Sequence, residues 1–281
     1  MKLIECPRDA MQGLPDFIPT EVKAEYINLL LKVGFETIDF GSFVSPKAIP
    51  QLRDTVEVLE KLDLGSTKSK LLAIVANIRG VQDAMQHPQI SYLGFPLSVS
   101  ETFQQRNTNS GIKQSLNTVD ELISRCYKHQ KTAVVYLSMG FGNPYGDAWS
   151  HEIVEDLAGE LVTRGVKIIS LADTIGVSTP ENISYLFPHL VKSFPDVEFG
   201  VHLHSTPTSW KEKMEAAYLS GCIRFDSALK GFGGCPMAAV DLTGNMATEN
   251  IISYLQDQGE ELNLDQDKWQ EAMDYSSNIF H

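Results

Sequence analysis

Residues 167–204, KIISLADTIGVSTPENISYLFPHLVKSFPDVEFGVHLH, hold one complete strand–helix–strand unit. Lys167–Ala172 is a short apolar run rich in β-formers, and Glu198–His204 is a second. Between them Thr179-Pro180-Glu181 makes a sound helix start, a capping residue followed by proline in the first turn. Glu181–Ser193 then carries helical spacing.

The same alternation extends in both directions. Further strands are predicted at Lys2–Arg8, Thr37–Phe43, Lys70–Ala76, Tyr92–Val99, Thr132–Met139 and Arg224–Leu229. Helices are predicted over Glu21–Val33, Thr118–His129, Glu152–Arg164 and Ser209–Leu219, and Asp265–Ile279 predicts an extra C-terminal helix. Eight strands alternating with helices fit a closed parallel (β/α)8 TIM barrel, and they also fit a doubly wound open sheet. With 281 residues and no low-complexity linker, the chain reads as one α/β domain spanning 1–281.

The net charge of −13 excludes broad nucleic-acid binding, which needs a basic surface, and the 43% hydrophobic content supports a large core. An anionic substrate would need its own local cationic contacts. Cys6, Cys126, Cys222 and Cys235 are scattered without a CxxC pair, so a reduced protein is expected, with the first three structural. Met1–Cys6 reads as a strand, not a signal core, and no run reaches the roughly 18 apolar residues of a membrane span. A soluble, cytoplasmic protein without a membrane partner is the expectation.

In such a barrel the chemistry collects at the C-terminal strand ends. There the sequence places Pro7-Arg8-Asp9, Asp39 with Ser42, Ser170 with Asp173-Thr174, His202-Leu203-His204, and Gly231-Phe232-Gly233-Gly234-Cys235-Pro236. Residues i and i+2 of a strand point to one side, so His202 and His204 can face a single cation. Ordinary packing is the other reading of such a pair. Asp9 can add an oxygen ligand, and spacing alone does not choose among Mg²⁺, Mn²⁺, Co²⁺ and Zn²⁺. Arg8 offers a permanent, planar set of donors for a developing enolate, or else a salt bridge across the barrel mouth. Cys235 sits in a glycine-rich turn, suited to proton transfer or simply buried.

These motifs resemble those of the 3-hydroxy-3-methylglutaryl-CoA lyases, within the superfamily of metal-dependent barrel lyases and Claisen-condensing enzymes. The resemblance runs almost end to end, through Pro7–Gln12, Ser42–Lys47 with Pro50-Gln51, Asp173–Val177, His202–His204, Gly231–Pro236 and Gly244-Asn245. It implies an acyl-CoA substrate, retro-Claisen cleavage to acetyl-CoA and acetoacetate, and a place in leucine breakdown or ketone-body metabolism. It also implies a homodimer or other homo-oligomer. Asp9, His202, His204 and Asn245 would bind Mg²⁺ or Mn²⁺, and Arg8, Cys235, Asp173 and Asp39 would be catalytic. Asp39 stands where the family has glutamate. Gln12, Ser42 and Ser170 would meet substrate, and Ser100–Asn109 resembles the loop after strand 4.

The chain departs from that pattern at Ala10, Ser205 and Lys230, and in a longer Cys235–Asn245 interval. Lys230 either meets an anionic part of the substrate or pairs with an acid such as Asp226. A synthase condensing a 2-oxo acid with acetyl-CoA, a 4-hydroxy-2-oxo acid aldolase and a non-catalytic scaffold barrel are the competing readings. The scaffold alone has no need of Arg8, Asp9 and the paired histidines.

Overall fold

Eight short β-forming runs pair in chain order until the sheet meets its own edge. They are β1 (Lys2–Glu5), β2 (Thr37–Ser42), β3 (Lys70–Ile74), β4 (Ile90–Ser98), β5 (Thr132–Ser138), β6 (Ile168–Ala172), β7 (Glu198–His202) and β8 (Arg224–Ser227). All pairings are parallel, and β1 closes the ring against β8, with Lys2 opposite Arg224 and Glu5 opposite Ser227. Closure rules out the open-sheet arrangement. The structure, a computed structural model, describes residues 1–234 and 243–280.

The strands are largely buried because both faces are covered, one by helices and one by side chains inside the barrel. Every residue of β6, Ile-Ile-Ser-Leu-Ala, is buried. Outside lie α1 (Pro7–Gln12), α2 (Thr20–Val33), α3 (Thr55–Glu60), α4 (Ile78–Ala84), α5 (Glu101–Thr108), α6 (Ile112–Lys128), α7 (His151–Thr163), α8 (Pro180–Ser193), α9 (Trp210–Leu219), α10 (Thr248–Asp257) and α11 (Gln266–Tyr275). The start of α8 is a capping box: the Thr179 hydroxyl accepts from Asn182 N–H, and the Asn182 side chain accepts from Thr179 N–H. The C-terminal α11 packs beside α2 through an edge contact of Trp269 on Phe35 and a stack of Tyr275 on Tyr26.

Three boundaries correct the sequence reading. The first strand does not reach Arg8: it stops at Glu5, and Pro7 opens α1, because fixed φ and a missing N–H suit the first helical position. The seventh strand stops at His202, while His204 forms an isolated bridge with Asn245. Helix α6 begins six residues before Thr118. Its polar first turn hides the periodicity, and its start is capped from a distance by the Glu101 carboxylate, which accepts from Ile112 N–H at 3.0 Å.

Candidate active site

The single turn of α1 gives the N-terminal motif its geometry. Helical spacing sets Arg8 over Gln12 and Asp9 beside it, so Arg8 Nη1 donates to Gln12 Oε1 at 3.0 Å and Gln12 Nε2 to Asp9 Oδ1 at 2.7 Å. Arg8 Nη1 also donates to Asp9 Oδ1 at 3.0 Å. On β2, a register shift between Asp39 and Gly41 accompanies an inward Asp39, which accepts from Arg8 Nε at 3.0 Å and from Nη2. A guanidinium has five N–H donors. Among the described residues Asp39, Asp9 and Gln12 use all but one, and the remaining N–H is on Nη2.

From the other side of the ring come His202 and His204, whose Nε2 atoms lie 3.3 Å apart. Asp226 on β8 faces His202 Nδ1 at 3.3 Å, a carboxylate behind a ring that directs its Nε2 forward. Asn245 Nδ2 donates to Asp9 Oδ2 at 2.6 Å and to the Phe232 carbonyl at 2.8 Å. That leaves Asn245 Oδ1 buried and without a partner among the described residues. Glycine is required at 233: φ is +105°, and a Cβ there would fall 2.5 Å from Asn245 Nδ2.

The donor set fits a divalent cation. Ligand atoms of Asp9, His202 and His204 lie within 4.8 Å of one another. Two imidazole nitrogens sharing one ion at near right angles, each about 2.1 Å from it, stand about 3 Å apart. The orphaned Asn245 oxygen adds a hard donor, and such buried atoms are seldom left unmatched. Two Nε2 lone pairs facing each other repel unless a proton or a cation lies between them. Cys6, His202 and Asp226 form a second cluster just beneath, which shares His202 with the first.

Burial opposes the charge on Asp9, but Arg8, the two histidines and the Asn245 amide outweigh it and pull its pKa down to about 2. Burial lifts Asp39 to about 6, with Arg8 working against the rise. His204 falls to about 4, first through burial and then through His202. His202 moves upward because Asp226 and Asp9 overcome its burial. The ionised Asp9 carboxylate and the neutral His204 ring are already in the states that metal ligation needs, and a bound cation would have to displace any proton from His202 Nε2.

Above these groups opens a cavity of about 510 Å³, lined in part by Arg8, Asp9, Gln12, Ser42, His202 and His204. Arg106, Asn107 and Thr108 of α5 also line it, with Asn109 beyond. Ser170 and Asp173 are not among its lining residues. The Ser170 hydroxyl lies 3.5 Å from Asp226, and Asp173 accepts from Ser178 and Lys213. Asp226 is thus engaged with His202 and Ser170, not with Lys230, which is exposed and whose backbone N–H donates to Glu249. Cys235, with most of the interval to Asn245, lies outside the described residues. Asp226 as a partner of His202, Tyr136 in the cavity wall and Lys213 were not foreseen. The signal for Asp226 was its polar side chain two residues after Arg224 on a short barrel strand.

The HMGL-like family profile matches residues 3–276. The chain belongs to the HMGL-like family. It is 35% identical over 252 residues to a hydroxymethylglutaryl-CoA lyase of Bacillus subtilis (strain 168), covering 89% of this chain and 83% of that relative. It is 32% identical over 279 residues to the cytoplasmic 3-hydroxy-3-methylglutaryl-CoA lyase of Rattus norvegicus, covering 98% and 80%. Among solved members of the family, an HMG-CoA lyase from Acinetobacter baumannii in complex with coenzyme A and 3-methylmalate superposes with a TM-score of 0.91 at 29% identity, covering 100% of this chain and 91% of that one. No helix among the described residues is long and apolar enough to cross a membrane.

Proposed function

We propose that the chain is a single-domain, divalent-cation-dependent lyase that cleaves 3-hydroxy-3-methylglutaryl-CoA to acetyl-CoA and acetoacetate. The observation that carries this reading is the convergence of Asp9, His202, His204 and Asn245 beside Arg8 at the base of an open cavity. The cavity wall also bears Arg106, its guanidinium 4.7 Å from the centre of the Tyr145 ring, a local cation for an anionic thioester in an acidic molecule. Coenzyme A in the Acinetobacter relative supports the same ligand class.

Mg²⁺ or Mn²⁺ held by Asp9, His202, His204 and Asn245 would supply Lewis-acid polarisation of the C3 hydroxyl and orient the neighbouring carboxylate. In the reaction the C3 hydroxyl loses its proton and the C2–C3 bond breaks. Its electron pair becomes the enolate of the acetyl thioester, C3 becomes the ketone of acetoacetate, and a proton adds to the enolate carbon. Arg8 points the Nη2 N–H left free among the described residues at the enolate oxygen, while Asp39 and Gln12 fix the guanidinium plane. Ser42, on the cavity wall, contacts substrate. Cys235, in the glycine-rich run that resembles the family's, hands over the final proton. The same family reading carries a homo-oligomeric, cytoplasmic enzyme of leucine breakdown or ketone-body metabolism.

The test is acetoacetate release from the thioester with Mg²⁺ or Mn²⁺, with EDTA, and in Arg8→Met. Chelation should abolish turnover and added cation restore it, and Arg8→Met should slow it by about 10²–10³-fold. Full activity in EDTA would defeat the cation requirement, and a wild type that releases no acetoacetate would defeat the substrate.

A further inference from the structure

Lys213 reaches from α9 to the backbone of the histidine segment, where the proposed carbon–carbon cleavage assigns no step to an ammonium group. It is 3% exposed, and its three donors are all used: Asp173 Oδ2 at 2.8 Å, the Gly176 carbonyl at 3.0 Å and the His204 carbonyl at 2.9 Å. Asp173 also accepts from Ser178 N–H at 3.0 Å and from the Ser178 hydroxyl, and its own N–H donates to the His202 carbonyl at 2.9 Å. The Lys213–Asp173 pair therefore grips the backbone of both histidines. It also ties them to the turn 173–178 that follows β6. His204 needs this support because it lies beyond the end of β7, where the strand ladder no longer holds it.

A buried ion pair is a poor device for stability alone, since an apolar pair of similar volume often serves as well or better. Its value here is placement. We infer that Lys213, with Asp173 as its counter-ion, is a positioning residue that holds His204 at the depth and angle from which its imidazole meets the Asp9–His202–Asn245 set. This rests on the proposed cation site. It assigns Asp173 to the support of the histidines and away from direct contact with substrate.

The decisive measurement is Mn²⁺ affinity of the full chain, read from the free-ion signal by electron paramagnetic resonance, alongside urea unfolding. Lys213→Met alone strands a buried carboxylate and can fail to fold, so the main variant is Lys213→Met with Asp173→Asn, which removes both charges together. The double variant is expected to fold and to bind Mn²⁺ about 10–100-fold more weakly than wild type, the usual effect of losing a group that orients a ligand. A merely structural pair would change the unfolding midpoint and leave Mn²⁺ affinity where it was, and that result would overturn the inference. A wild type that binds no stoichiometric Mn²⁺ would instead remove the cation site itself and the positioning role with it.

Discussion

Glu5 gives the protein a built-in dependence of stability on pH. It ends β1 with no exposed surface, and its carboxyl accepts from Leu229 N–H at 2.9 Å and from the Thr248 hydroxyl. Burial lifts its pKa from 4.5 to about 8 against the pull of those two hydrogen bonds. The folded chain thus keeps a proton that the unfolded chain releases at lower pH. The stability from this neutral carboxyl is complete below about pH 4.5 and is lost progressively as pH rises to about 8, at about 1.4 kcal/mol per unit. Between about pH 5 and about pH 7.5 the loss from this residue is about 3 kcal/mol. Glu5→Gln has the shape of the protonated acid, with an oxygen for Leu229 and an amide to donate to Thr248, and does not titrate. Urea unfolding followed by fluorescence of the three tryptophans, repeated across that range, isolates the effect. Every other group titrates alike in both proteins, so the stability of the variant relative to wild type should climb by about 3 kcal/mol. Parallel stability curves would refute the argument.

Asp226→Asn lets an amide donate to His202 Nδ1 and moves the ring proton to Nε2, so Mn²⁺ affinity measured by calorimetry should fall about 10–100-fold; unchanged affinity would clear Asp226 of that role. Gly233→Ala forces a methyl group into the space of the Asn245 amide, and both cation affinity and turnover should drop although the residue has no side chain to contribute. If that variant binds Mn²⁺ normally, the Asn245–Asp9 contact is dispensable. Glu101→Ala removes the remote cap of α6; chemical denaturation should show a loss of about 0.5–2 kcal/mol with little change in turnover.

The barrel was legible because its strands are short apolar runs separated by capped helices, a pattern set locally by Thr179-Pro180 and its equivalents. Convergence of Asp9 with His202 and His204 was also legible, because parallel closure brings all C-terminal strand ends to one rim. The carriers differed from expectation: a proline-initiated helical turn presents Arg8 and Asp9, and a bridge to Asn245 presents His204. Both depend on partners distant in sequence. Asp173 looked like chemistry because a lone acid at a strand end reads the same whether it faces the cavity or a lysine. Nothing in the spacing of Lys213, forty residues later on an outer helix, signals that its ammonium turns inward. Asp226 was hidden for a similar reason, since one polar residue on a barrel strand does not reveal which ring nitrogen it meets.

Asp9 and Asn245 are joined across 236 residues of chain. A growing polypeptide therefore carries no working fragment of this site. Until the ribosome has released the segment after β8, the Asp9 carboxylate lacks the amide that steadies it, and the pairing of β8 with β1 does not by itself supply that amide. Deleting the stretch that carries Asp9, or the one that carries Asn245, should silence the protein while most of its strands can still form.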